Sequence, residues 1–182
     1  MSTIRKKVAN RVAVSALLVA AWSLGPTLPS VAATDLAACA GVVGTYVTTI
    51  TDKEGVFASR GLMTFTSDGL LLVSDSAQGG VPGVWDPFSP MQGAWKCVEA
   101  GSDKLSINAV GLNFVLPSDG RTSSFGRVEY QASLDIKTGM LSGSATLRFA
   151  SGNDLEGIDP IDQPGSVLDE FQFDGKRLMI NK

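Results

Sequence analysis

Polar and apolar residues alternate one for one along Arg127–Ile136, with Val128, Tyr130, Ala132, Leu134 and Ile136 on one side and Arg127, Glu129, Gln131, Ser133 and Asp135 on the other. A period of two marks an extended chain whose successive side chains point to opposite faces. Lys137-Thr138-Gly139 breaks the pattern, and it resumes with Leu141, Gly143, Ala145, Leu147 and Phe149 opposite Ser142, Ser144, Thr146 and Arg148. The pair predicts a long antiparallel hairpin with one wet face. Its small inward residues, Gly143 and Ala145, either admit close packing or leave room for something else.

Further strands are expected over Val43–Thr51, Phe57–Thr66, Leu70–Ser76, Gln92–Glu99, Leu105–Leu116 and Phe171–Ile180, each bounded by Gly, Asp, Ser or Pro. Ser67-Asp68-Gly69 signals a tight turn, and Asp174-Gly175 is expected to interrupt or turn the last strand. Within Leu105–Leu116 the apolar phase changes near Ala109-Val110, which predicts a bulge or a segment buried on both faces. No stretch repeats its apolar residues every 3.6 positions, so helix is expected only in short turns around Asp35–Ala40 and Ser166–Glu170.

The fold class is therefore all-β. Eight strands in sequential hairpins close most economically into an up-and-down antiparallel barrel, because closure removes exposed edges; a two-sheet sandwich is the alternative. Gly44-Thr45-Tyr46 opens the first strand and Arg177 lies in the last. In this the chain resembles the calycin superfamily of lipocalin-like barrels, in which a Gly-x-Trp on the first strand is covered by an arginine near the last. The resemblance implies that Tyr46 stands for the tryptophan and that Arg177 stacks over it, with Gly44, Tyr46 and Arg177 in structural roles. The long C-terminal helix of typical lipocalins and the helical lid of intracellular fatty-acid carriers have no counterpart in this sequence.

Charge changes the picture at the N-terminus. Arg5, Lys6, Lys7 and Arg11 lead into the apolar run Val12–Leu24, which is followed by Val31-Ala32-Ala33. A cationic start, an apolar middle of about 13 residues and a small-residue end read as a secretory signal peptide; a bilayer span needs about 20. The expected division is a signal over 1–33 and one barrel domain over 34–182, exported to the periplasm or beyond. The whole chain carries −3, but removing four cations leaves eleven basic against eighteen acidic residues, about −7. Such a balance argues against nucleic acid and anionic lipid as main partners. No second long apolar segment follows, so no transmembrane segment is expected in the mature chain.

Cys39 and Cys97 are the only cysteines. In an exported chain they are expected to form a disulfide. Leu36-Ala37-Ala38-Cys39 also resembles a bacterial lipoprotein signal, which would put a lipid anchor on Cys39. Gly25, Pro26, Pro29 and Asp35 separate that cysteine from the apolar run, and the Ala33 site lies upstream, so the bridge is favoured; two free thiols are the third alternative.

There is no histidine anywhere in the chain. Ser-His-Asp and Cys-His triads and histidine metal sites are thereby excluded, and no nucleophile elbow or phosphate loop takes their place. The acidic run Asn153–Asp162 fails the calcium-loop spacing, because aligning Gly157 at the sixth position puts Gly152 and Gln163 where carboxylates are required. No metal or cofactor is expected.

Gly79–Pro90 is the better lead: six turn-forming glycines and prolines are interspersed with Val81, Val84, Trp85 and Phe88. This aromatic loop either caps the core, covers a ligand or meets a partner protein. The expected barrel lining is Tyr46, Phe65, Trp95, Tyr130 and Phe149. Three functions compete. One is non-catalytic binding of a hydrophobic or amphipathic small molecule, with Phe65, Trp85, Phe88, Tyr130 and Phe149 as ligand contacts. The second is a cofactor-independent isomerase or cyclase, which needs Tyr130 or a carboxylate such as Asp75, Asp86, Glu129 or Asp135 aimed inward. The third is an envelope interaction module with a solid core.

Overall fold

The computed structural model describes residues 39–100, 103–116, 124–150 and 166–179; the expected signal segment 1–33 and the acidic run 153–162 lie outside them. After a short 3-10 turn at Ala40–Val42 come β1 (Gly44–Asp52), β2 (Phe57–Phe65), β3 (Leu70–Asp75), β4 (Met91–Ala100), β5 (Lys104–Val115), β6 (Ser124–Asp135), β7 (Met140–Ala150) and β8 (Ser166–Arg177). Each strand pairs antiparallel with the next, and β8 returns to β1 from Tyr46↔Arg177 to Asp52↔Phe171, closing a single barrel. That closure distinguishes it from the two-sheet sandwich.

Three local expectations are corrected. Ser166–Glu170 is strand, not helix, and pairs with Thr146–Phe149. The edge of β7 there would otherwise present unpaired N–H and C=O groups, and satisfying them outweighs any local turn preference. Asp174-Gly175 neither turns nor interrupts β8, which runs in register past Val47 and Thr48. Glycine is there for closeness: a Cβ on Gly175 would lie 2.7 Å from Thr48 Cγ2 and 3.0 Å from Val47 O.

β5 carries the third correction. It pairs with β6 without a break from Lys104↔Asp135 to Val115↔Ser124, and its burial alternates along its whole length; the register shift lies on β4, between Cys97 and Glu99. The apolar phase reverses but the backbone does not. Inward positions after Ala109 are Gly111, Asn113 and Val115, while Phe114 faces outward, 52% exposed, against the ring of Phe125 at 4.8 Å. The strict alternation of β6 holds the register, since a one-residue slip would turn Val128, Tyr130 and Leu134 out to water.

One end of the barrel is solid. Tyr46, Phe65 and Trp95 pack edge to face in a chain, with ring centroids 5.8 and 5.6 Å apart, among Val42, Leu105, Leu134 and Leu141. Cys39 and Cys97 are joined by a disulfide that ties the 3-10 turn to β4 at this end. Arg177 Cζ lies 5.3 Å from the centre of the Tyr46 ring, its Nη2 donates to the Tyr46 hydroxyl at 2.6 Å and to Gly41 O, and that hydroxyl donates to Val42 O at 2.9 Å. The guanidinium thus fastens β8, β1 and the 3-10 turn with one planar group.

Candidate functional site

The other half of the barrel is hollow. An eight-stranded barrel is just wide enough either to be filled by its side chains or to hold one small molecule. Here the two outcomes share one barrel. Where β1, β3, β5 and β7 end, the inward side chains enclose a cavity of about 560 Å³. That volume lies within the usual range of small-molecule sites, about 300–1,000 Å³.

Ala145 and Gly143 on β7 divide the halves. A Cβ on Gly143 would lie 2.2 Å from Gln131 O, 2.8 Å from Ala132 Cα and 2.9 Å from Phe173 Cζ, so glycine there serves close packing. Ala145, two residues on, lines the cavity and leaves space. Above it the wall is aromatic: Tyr130 meets Phe173 edge to face at 6.0 Å, and Trp85 meets Phe171 at 6.2 Å.

Trp85 and Phe88 reach the cavity because of the glycines and prolines around them. Gly80 and Gly83 adopt φ of 83° and 76°, which L residues rarely tolerate, and so turn the chain back between Val81 and Trp85. The loop is then sewn to the end of β5: Ser89 N donates to Phe114 O at 2.9 Å and Leu116 N to Pro87 O at 2.8 Å. Trp85 and Phe88 end half-buried, whereas Val84 is 65% exposed.

Several polar groups line this otherwise apolar space. Ser59 Oγ donates to Asp75 Oδ2 at 2.8 Å, and Ala77 N donates to Asp75 Oδ1 at 2.7 Å. The Tyr130 hydroxyl donates to Met91 Sδ at 3.3 Å. Burial pushes the Tyr130 phenol well above its ordinary range, and the negative charge of Asp75 pushes it further the same way, so Tyr130 stays protonated. Asn113, 7% exposed, lines the same cavity with its Oδ1 unpaired. Among the described residues the lining holds Asp75 and Asp86 and no lysine or arginine.

Of the residues singled out in the sequence, Trp85, Phe88 and Tyr130 come together at the cavity. Phe65 does not; it is wedged between Tyr46 and Trp95 in the solid half. Phe149 belongs to β7, but its side chain lies outside the described residues. Glu129 faces outward, ion-paired with Arg127 at 2.9 Å, and Asp135 accepts from Thr138 N in an exposed turn, so neither reaches the cavity. Sequence reasoning missed Ser59, Asn113 and Phe171. A readable signal existed for Asn113: it falls in the stretch of β5 where the apolar phase reverses.

Among the described residues no His, Cys, Asp and Glu cluster is arranged to hold a metal, and no helix is long and apolar enough to cross a membrane. The described chain defines a closed eight-stranded antiparallel barrel, solid at one end and hollow at the other. No protein-family model, curated protein or solved structure matches it significantly.

Proposed function

We propose that this is an exported, calycin-like barrel that binds a hydrophobic or amphipathic small molecule without transforming it. The observation that carries the reading is the cavity of about 560 Å³, walled by Trp85, Phe88, Tyr130, Phe171 and Phe173 in a barrel whose other half is tightly filled. Leaving such apolar surface unfilled forfeits packing that the solid half obtains, so its retention favours an occupant. Trp85 offers a direct readout. Titration with an apolar fluorescent probe is expected to quench Trp85 emission, to lose that response in Trp85→Phe, and to lose binding in Ala145→Phe, which fills the cavity floor. A probe that binds Ala145→Phe as well as it binds the native protein would refute the assignment.

A second reading, a cofactor-independent isomerase or cyclase, draws on one observation: Asp75 and the protonated Tyr130 share the cavity. It predicts that a bound compound is released as an isomer of equal mass, and that Asp75→Asn abolishes this while binding persists. Recovery of every bound compound unchanged would leave the carrier reading alone.

A further inference from the structure

We propose that the ligand of this cavity is an amphipathic amine, its ammonium or amine head held between Asp75 and Asn113 and its apolar body against the aromatic wall. The inference rests on the binding reading above and gives it a chemical class.

Gln78 and the Asn113 amide nitrogen bring neutral donors to the cavity, but Asp75 brings a carboxylate. Asp75 receives one hydroxyl and one backbone N–H, and a carboxylate has roughly four acceptor positions in all. Among the described residues no cation pairs with it: the ion pairs there join Lys53 to Glu54, Arg127 and Arg148 to Glu129, and Lys137 to Asp103. The proton of Tyr130 is directed at the Met91 sulfur, which leaves the phenol oxygen as a further acceptor. Asn113 is the second, independent sign. It is more than nine-tenths buried, it lines the cavity, and its Oδ1 meets no donor. A buried acceptor without a donor is costly, and a small rotation of the amide about its broad terminal torsion turns that oxygen to the cavity, where a ligand N–H completes it.

Three head groups can be compared on these terms. A carboxylate or phosphate would meet Asp75 with no lysine or arginine among the described residues of the lining, so anionic amphiphiles are disfavoured by like charge. A hydroxyl supplies a single donor. A primary ammonium supplies three donors and a positive charge, which suits the carboxylate, the amide oxygen and the faces of Tyr130 and Trp85 together.

Dodecylamine, dodecanol and dodecanoate share a tail and differ only in the head, and they are the probes to use. Calorimetric titration of each into the mature protein at pH 7 and about 0.15 M salt is expected to rank amine above alcohol above carboxylate, with at least tenfold between the first and last. In Asp75→Asn, folded by its thermal melt, amine affinity is expected to fall about tenfold while alcohol affinity changes less than twofold. Asn113→Asp, which keeps the shape and adds negative charge, is expected to tighten the amine alone. Equal affinity for the three heads, or preference for the carboxylate, overturns the amine assignment and leaves the cavity reading intact. Binding of none of the three overturns the cavity reading itself.

Discussion

Removing the disulfide tests how the solid end is held. Cys39 and Cys97 are 58 residues apart in sequence, and neither is free. On the chain-entropy account a loop of that length lowers the entropy of the unfolded chain by about 14 cal/mol/K, or about 4 kcal/mol of stability at 25 °C. Cys39 is buried against the core, so replacing it also sacrifices packing, and about 4 kcal/mol is a central value. The double variant Cys39→Ala/Cys97→Ala should therefore unfold in urea at a midpoint roughly 2 M lower, taking a slope of about 2 kcal/mol/M, and melt roughly 8–16 °C lower. Its slope should also steepen, because the unlinked chain expands further on unfolding. Reductant should carry the native protein to the same midpoint. A shift below about 0.5 M with an unchanged slope would refute the reasoning, since the bridge would then not restrain the unfolded chain. Alkylation of the unreduced, unfolded protein checks the premise directly: no thiol should react.

Two further outcomes follow from burial and packing. Tyr46 and Tyr130 are the only tyrosines, and burial raises both phenols, in Tyr46 against the opposing pull of Arg177. The native state thus retains protons that the unfolded state releases above pH 10, so stability present below that pH declines as pH rises through the folded values. Tyrosinate absorbance should accordingly stay flat past pH 10 and rise only with alkaline unfolding; a step at pH 10 in folded protein would contradict the burial argument. Gly143→Ala, whose new methyl would meet Gln131 O at 2.2 Å, should cost about 1–3 kcal/mol by overpacking, measurable by urea melt, and a neutral result would mean that β6 and β7 can part there.

The barrel was legible because its pairing depends on a period of two that β6 and β7 display almost without error. The hairpin they form dictates the direction of neighbouring strands, and turn residues such as Ser67-Asp68-Gly69 fix where those strands end. What the sequence concealed lies where long-range contact outweighs local preference. Ser166–Glu170 carries no strong strand pattern and becomes a strand because Thr146–Phe149 of the expected hairpin would otherwise have no partner on that side. Gly175 reads as a turn residue, yet its value is the approach it allows to Thr48. Of the site, the aromatic loop was visible in Trp85 and Phe88, whose bulk among glycines and prolines had to be placed somewhere. Phe65 was indistinguishable from them by type. Only the stacking between Tyr46 and Trp95 assigns it to the solid half, and whether an inward aromatic fills space or borders it depends on neighbours several strands away. The polar side of the cavity was the least legible part, because Asn113 looks like a surface residue until β6 fixes the register of β5.

The joint between β1 and β8 has a consequence for self-association. It is the one place in the wall where strands remote in sequence meet, and Arg177 fastens it by holding Tyr46 and Gly41 together. Were it to part, the barrel would become a curved ribbon with two long bare margins, each already shaped to pair with the other. In a crowded solution the nearest matching margin belongs to another copy, and head-to-tail joining of that kind closes into rings or propagates into open chains. The Arg177 guanidinium, at the solid end of the β1–β8 ladder, thus helps to keep each copy closed on itself.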